Sequence, residues 1–144
     1  MLPAYGNEKI GFIFINFATN MGKIREITSE EIRDKVIEGI RKKKGHRIVV
    51  LDLERVDVAV CRYFVICHGD SNTQVTAIAE SVEEVVKDDL SERVWHREGY
   101  SNAQWILLDY GDVVVHVFEK PYREFYDLEG LWADAGREDL AEEL

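Results

Sequence analysis

The stretch WILLDYGDVVVHVF, residues 105–118, constrains the fold more than any other part of this 144-residue chain. Two runs of apolar and β-branched residues flank Gly111 and Asp112, and a dipeptide that begins with Gly is typical of a two-residue hairpin turn. Because directly paired residues lie on the same face of a sheet, a turn here assigns every neighbouring side chain to one of two faces. The predicted pairs are Trp105–Phe118, Leu107–His116, Leu108–Val115, Asp109–Val114 and Tyr110–Val113.

The two faces of this hairpin differ in chemistry. One face is nearly all apolar and is predicted to lie in the core: Ile106, Leu108, Tyr110, Val113, Val115 and Val117. The other face also carries an acid and an imidazole: Trp105, Leu107, Asp109, Val114, His116 and Phe118. A solvated sheet face would carry Lys, Thr or Glu at these positions, so we predict that a helix covers this face or that a partner does. A half-exposed aromatic patch with a polar rim is what a protein interface requires.

Helices and further strands are predicted around the hairpin. Thr28 and Glu31 have the spacing of a capping box at the start of a helix, and Ser71 and Gln74 repeat it before the strongest helical pattern in the chain. Strands are predicted at residues 47–53, 62–69 and 93–100, and helices or turns after residue 120. A strand, a long helix and further strands in this order indicate a single α/β layered domain.

The charge is unevenly distributed along the chain, whose net charge is −10. Residues 1–48 contain ten Lys or Arg and six Asp or Glu, a balance of +4, whereas residues 49–144 contain eight and twenty-two, a balance of −14. An acidic body repels nucleic-acid phosphates and suits a basic partner, so we expect little direct contact with nucleic acid. Lys42, Lys43 and Lys44 either match the dipole at the end of the first helix or form a patch that binds RNA or phosphate, and we favour the dipole.

The two cysteines, Cys61 and Cys67, bear on the cellular compartment. In an extended segment they lie roughly 20 Å apart, too far for a mutual disulfide. Reduced thiols predict a cytoplasmic protein. No apolar run approaches the roughly 20 residues of a membrane span, so we expect no membrane partner.

The polar residues of the hairpin invite a test for catalysis. Asp109 and His116 lie diagonally on one predicted face, roughly 7–8 Å apart, and a His–Asp pair can act as a general base. No Ser or Cys is clearly placed to complete a nucleophilic site, so we interpret the pair as a His hydrogen-bonded to an Asp. The four histidines form no zinc-binding pattern, and we predict neither a metal nor a cofactor. The turn at Gly69–Ser71 opens a helix, where amides can bind phosphate, but it lacks the P-loop pattern.

Several motifs at ordered spacing resemble a known family. The stretches DVAVCRYFVICHGDSNTQVTAIAESVEEVV, REGY, WILLDYGDVVVHVF and REFYDLEGLWADA, in this order, are similar to those of the ribosomal silencing factor family, also called RsfS or Iojap. The resemblance implies an α/β domain with a mixed five-stranded sheet, related to nucleotidyltransferases. The catalytic carboxylates of those enzymes are missing, because no Asp-x-Asp follows the Gly69–Ser71 turn on a strand. We therefore divide the chain into an N-terminal extension (1–27), a silencing-factor domain (28–135) and an acidic C-terminal tail (136–144).

The resemblance also implies a function without catalysis. Members of the family bind the large ribosomal subunit through its fourteenth protein, sterically block joining of the small subunit and repress translation when nutrients are scarce. The residues expected to meet such a partner are Glu98, Trp105, Leu107, Asp109, Tyr110, Asp112, His116 and Tyr126. Two alternatives stay open: a nucleotide-binding or nucleotidyltransferase-like enzyme that uses the Gly69–Ser71 turn, and a homodimer through the second face of the hairpin.

Overall fold

A computed structural model describes residues 25–143, so most of the predicted N-terminal extension lies outside the described residues. The helices are α1 (Ser29–Lys42), α2 (Asn72–Leu90), α3 (Lys120–Tyr126) and α4 (Leu128–Leu131). The strands are β1 (His46–Asp52), β2 (Tyr63–Gly69), β3 (His96–Glu98), β4 (Trp105–Asp109), β5 (Val113–Glu119) and β6 (Gly136–Asp139). None of the helices in the described range is long and apolar enough to cross a membrane.

The strands form one mixed sheet in the order β3-β4-β5-β2-β1-β6. The central neighbours β2 and β5 run parallel, whereas the other neighbouring pairs are antiparallel. The prediction of a single α/β domain with a mixed sheet is confirmed, but the sheet has six strands instead of five. The additional strand, β6, consists of four exposed residues without apolar alternation, so the sequence carried no strand signal there.

The hairpin of β4 and β5 has the predicted register. Trp105 pairs with Phe118, and the other predicted pairs follow in step. The amide of Tyr110 donates to the carbonyl of Val113 across the turn, where Gly111 has a φ of 89°, a conformation that favours glycine. The predicted core face is confirmed, because none of its six residues is more than 3% exposed.

The first face of the sheet is covered by α1 and α2, which pack side by side. The two helices approach closely, since a Cβ on Gly39 would lie 2.7 Å from the Cα of Val82. At the same crossing the hydroxyl of Ser81 donates to the carbonyl of Gly39 at 2.7 Å. This close packing holds the helices over the buried valines of the hairpin and gives the domain its main core.

The two predicted helix starts differ in detail. The capping box of Thr28 and Glu31 forms in full, with each side chain accepting from the other residue's amide. At α2 the Ser71 hydroxyl accepts from the amide of Gln74, but the side chain of Gln74 accepts from Asp70 instead of closing the box.

The second face of the sheet is covered over one half. Loop 53–62, α3 and α4 lie over this face and enclose a smaller apolar cluster, whose buried members are Val49, Leu51, Leu53, Ile66, Phe118 and Leu128. On the same face β3 is exposed and β4 is half-exposed. The sequence left open whether a helix or a partner covers this face, and the structure divides it between a covered half and an open half.

Both cysteines are free thiols, as predicted. Burial raises the pKa of Cys61 to about 12, with Asp109 and Asp112 adding to the shift. Cys67 is fully buried, and burial likewise raises its pKa to about 12. Neither thiol is therefore poised to act as a nucleophile.

Candidate functional site

The open half of the second face forms a strip along β4. The strand register places Asp109 beside His96, and Leu107 beside Glu98. We define the open strip as the exposed and half-exposed side chains of this region: His96, Glu98, Trp105, Leu107, Asp109 and Val114. It combines apolar side chains with two carboxylates, and so has the composition that the sequence predicted for a partner surface.

Trp105 is the anchor of the open strip. Its ring stacks on Phe118 with the centroids 4.8 Å apart, and it contacts Tyr126 of α3 at 4.9 Å. Its indole N–H donates to Nδ1 of His116 at 3.1 Å. These contacts from three sides fix one orientation of a half-exposed tryptophan, a residue type enriched at the energetic centre of protein interfaces.

His116 forms the floor of the strip and is not itself presented to a partner. Only 4% of the residue is exposed, and its ring lies edge-on to Phe64 at 4.7 Å. Burial lowers the pKa of His116 to about 3, so the ring is neutral at physiological pH. The predicted hydrogen bond with Asp109 is wrong, because Nδ1 accepts from Trp105 while Nε2 has no partner in the described part of the chain.

The carboxylates near the hairpin lie at its turn and at the two ends of the open strip. Asp109 Oδ1 accepts from the amide of Gly111 at 2.7 Å and so forms an Asx turn. This turn explains why the carboxylate makes no hydrogen bond to His116. Asp112 is exposed at the tip, where it accepts from the hydroxyl of Ser29 at 3.2 Å. At the other end of the strip Glu98 contacts His96 at 2.6 Å. The apolar centre is therefore bordered by acids.

Of the remaining predicted site residues, Tyr126 belongs to this surface and Tyr110 does not. Tyr126 is 49% exposed beside Trp105, whereas Tyr110 is 3% exposed and faces the core under α2. Burial raises the pKa of the Tyr110 hydroxyl, which has no hydrogen-bond partner in residues 25–143. The family motif thus misplaced Tyr110, while the face assignment from the hairpin register was confirmed.

Two exposed apolar residues of the C-terminal helices lie outside the predicted set of contact residues. Phe125 is 78% exposed and lies edge-on to Tyr126, and Leu131 is 75% exposed. Trp132 instead packs edge-on against Phe64 at 5.5 Å. Helical periodicity could not separate these residues, because Asp127, with a φ of 44°, breaks the segment into two short helices.

A buried arginine fastens α3 and α4 to the end of the sheet. Arg123 is 4% exposed and makes two hydrogen bonds to Glu129, at 3.1 and 3.2 Å. It also donates to the carbonyl of His46 and contacts Nδ1 of His68 at 2.9 Å. Burial and the Arg123 charge lower the pKa of His68 to about 4. This network holds α3, and with it Tyr126, against the open strip.

The Gly69–Ser71 turn is poorly suited to bind phosphate. The amide of Asp70 in the turn already donates to the side chain of Gln74, and the amide of Gln74 in α2 donates to the hydroxyl of Ser71. The carboxylate of Asp70 lies at the mouth of the turn, 3.0 Å from His46, where it would repel an anion. No cluster of three or more His, Cys, Asp or Glu in the described range could hold a metal ion.

Comparison with known proteins agrees with this fold. A family model described as "Ribosomal silencing factor during starvation" matches residues 26–144. Curated ribosomal silencing factors from Bacillus subtilis and Halalkalibacterium halodurans are similar to this chain. The first is 46% identical over 98 residues, 68% of this chain and 81% of that protein. The second is 38% identical over 109 residues, 76% of this chain and 92% of that protein.

A solved structure has the same architecture. The crystal structure of a protein from Chromobacterium violaceum superposes with a TM-score of 0.71 at 33% identity, covering 82% of this chain and 94% of that one. Fold and site together define a single mixed-sheet α/β domain that leaves half of one sheet face open around a fixed tryptophan. The chain belongs to the ribosomal silencing factor family.

Proposed function

We propose that this protein binds the large ribosomal subunit through its fourteenth protein, sterically blocks joining of the small subunit and represses translation under nutrient limitation. Family membership supports the general activity. The observation that carries the proposed site is Trp105, held half-exposed by His116 and Tyr126 on an otherwise open sheet face. On this proposal the protein acts by occupying a surface, without catalysis, and works in the cytoplasm among the ribosomes.

The chemistry of the strip favours a basic protein as the partner. Trp105, Leu107 and the neighbouring Tyr126 offer apolar area that a partner can bury. Asp109 and Glu98 border that area with negative charge, which would set the register and the approach rate of a partner rich in Lys and Arg. Because Trp105 is already fixed, little side-chain entropy remains to be lost when the partner docks.

Cosedimentation with isolated ribosomal subunits from Bacillus subtilis tests the proposal. We expect the protein to migrate with large subunits and not with small ones. A Trp105→Ala/Asp109→Lys variant should lose this migration. Asp88→Lys is the matched control, because it makes the same charge change on the exposed side of α2, beyond the opposite face of the sheet. Circular dichroism of each variant would confirm that the fold is retained.

The outcomes of this experiment separate the site from the function. Migration of the double variant with large subunits would move the site away from the open strip. Migration of the protein with neither subunit would overturn the proposed function. A homodimer would occupy the same apolar strip, so the sedimentation coefficient over a concentration series shows whether self-association competes with the ribosome.

A further inference from the structure

The motif REGY, residues 97–100, spans the end of β3 and the start of the turn to β4. Glu98 belongs to the open strip, whereas Arg97, Gly99 and Tyr100 lie outside it. The strand β3 has three residues, all exposed, and within the described sheet it pairs with β4 alone. A strand with so few buried contacts needs a further attachment if its side chains are to keep one orientation.

Adjacent residues of β3 lie on opposite faces of the sheet. Glu98 pairs with Leu107 of the open strip, whereas Arg97 pairs with Leu108, which is fully buried in the main core. Because successive side chains of a strand alternate between faces, Arg97 lies on the face that α2 covers. A contact that holds Arg97 on the helix side therefore also holds Glu98 on the open side.

The carboxylate of Glu83 in α2 makes this contact. One oxygen, Oε1, lies 3.3 Å from Nη1 of Arg97, and the other, Oε2, accepts from the hydroxyl of Tyr100 at 2.5 Å. The Glu83 side chain is 20% exposed, so water screens these contacts less than it would on an open surface. A single carboxylate thus binds both β3 and the turn that follows it.

Tyr100 anchors the turn between β3 and β4. Its ring packs against the main core of the domain, and its hydroxyl makes a charge-assisted hydrogen bond to Glu83. Burial and this hydrogen bond raise the pKa of Tyr100, so the hydroxyl keeps its proton and remains a donor at physiological pH. The turn is therefore held to α2 throughout the physiological pH range.

Gly99 allows the same turn to lie against the backbone of Trp105. Its φ is 92°, and a Cβ at this position would overlap the carbonyl oxygen of Trp105. The amide of Ala103 donates to the carbonyl of Gly99 at 2.9 Å, which closes the turn. Because the turn is short and closed, the anchor at Tyr100 also fixes the end of β3.

We propose that Glu83 is a positioning residue of the open strip: through Arg97 and Tyr100 it holds β3 so that Glu98 stays beside Leu107. This inference rests on the proposed function, in which Glu98 meets a Lys or Arg of the partner. Glu83 lies on the opposite face of the sheet and does not touch the partner. It acts by keeping Glu98 in place, which lowers the conformational entropy that docking would otherwise cost.

Binding to large ribosomal subunits of Bacillus subtilis tests the positioning role. Glu83→Ala should bind about fivefold more weakly than the wild type, because β3 and its turn lose their contacts with this carboxylate. The matched control is Glu84→Ala, which removes the same charge from the next residue of α2, an exposed side chain without an ion pair in residues 25–143. The control should bind within about twofold of the wild type.

Two further variants separate positioning from long-range charge and from misfolding. Arg97→Gln makes the protein more acidic, so attraction to a basic partner alone would strengthen its binding. Positioning predicts weaker binding instead, since the ion pair with Glu83 is lost. Tyr100→Phe keeps the ring in the core and removes only the hydroxyl, so it should weaken binding while circular dichroism shows an intact fold.

A double-variant cycle shows whether Glu83 acts through Glu98. Glu98→Gln alone should weaken binding about fivefold, and the addition of Glu83→Ala should weaken it little further. Independent effects would instead multiply to a loss of about 25-fold. A merely structural role of Glu83 would lower stability without this dependence on Glu98.

The outcomes distinguish the positioning role from the proposed function. Equal binding by Glu83→Ala and Glu84→Ala would overturn the positioning role, as would tighter binding by Arg97→Gln or multiplied losses in the cycle. If the wild type binds large subunits and Glu98→Gln binds them equally well, the proposed function stands and the positioning role fails. If the wild type fails to bind large subunits at all, the proposed function fails first, and the positioning role fails with it.

Discussion

The indole N–H of Trp105 donates to Nδ1 of His116 at 3.1 Å, a bond that determines the tautomer of one residue and the orientation of the other. Because Nδ1 is the acceptor, the neutral imidazole carries its proton on Nε2. Trp105, the one aromatic residue of β4, is thus held by the buried and neutral ring of His116. The orientation of Trp105 in the open strip therefore depends on His116, which is too buried for a partner to contact.

Substitutions at His116 that preserve one ring nitrogen or the other test this bond. The amide oxygen of His116→Asn lies near the position of Nδ1, whereas that of His116→Gln reaches the position of Nε2. We expect the indole N–H resonance of Trp105 in a nitrogen-correlated NMR spectrum to be retained in His116→Asn and shifted in His116→Gln. The Gln variant should also be about 1 kcal/mol less stable than the Asn variant. Equal shifts in both variants would contradict the assigned role of Nδ1.

Stability should fall in mild acid because two buried histidines are neutral in the folded protein. Folded His116 and His68 have pKa values of about 3 and about 4, below the ordinary value of 6.5. Between pH 6.5 and the folded-state pKa values, the unfolded chain binds more protons than the folded protein does. The free energy of unfolding is therefore largest above pH 6.5 and decreases as the pH falls. By pH 5 the loss is about 2 kcal/mol for each histidine.

Urea unfolding at pH 7 and pH 5 measures this loss. His116→Asn removes one of the two titrating groups, so its stability should change by about half as much between the two pH values. A wild type as stable at pH 5 as at pH 7 would contradict the burial of neutral histidines.

Asp109 has a structural role and a charge, and substitutions can separate them. Asp109→Asn keeps the oxygen that accepts from the Gly111 amide, so we expect stability within about 0.5 kcal/mol of the wild type. The lost charge should slow association with the large subunit and leave dissociation less affected. Stopped-flow binding at low and high salt measures both rates, and a change confined to dissociation would count against an electrostatic role.

Removing the buried Arg123 should destabilise the covered half of the second face. Arg123→Met leaves the carboxylate of Glu129 buried without its partner, at a cost of about 3 to 5 kcal/mol in the free energy of unfolding. The double variant Arg123→Met/Glu129→Met should recover most of this loss. Arg137→Met is the control, since its pair with Asp139 is exposed and contributes less than about 1 kcal/mol. Similar losses for Arg123 and Arg137 would contradict the difference in burial.

Local patterns sufficed for much of the fold. The hairpin register follows from one turn and a two-residue repeat, and the starts of α1 and α2 follow from caps at Thr28 and Ser71. These signals lie within a few residues of the elements they define. The strand β6 could not be found in this way, because its pairing with β1 joins residues that are far apart along the chain.

The candidate site shows where local patterns stop being sufficient. In the predicted register His116 lies diagonal to both Trp105 and Asp109, so the sequence offers two partners of equal reach. The choice depends on the turn, since the amide of Gly111 engages Asp109 and leaves the imidazole to the indole. The exposure of Phe125 depends likewise on how α3 docks, which is determined by the distant contacts of Arg123.

The two outer strands have a consequence for how this domain can meet other molecules. At one edge β3 has three residues, all exposed and all polar, and at the other β6 has the exposed sequence GRED. Short, charged outer strands are poor templates for a further strand. Growth of the sheet from molecule to molecule is thereby discouraged, and association is directed to its open face. If a second copy binds to the open face, it must dissociate before any other protein can dock there. The fraction of monomer would then determine how much of the protein can bind another partner.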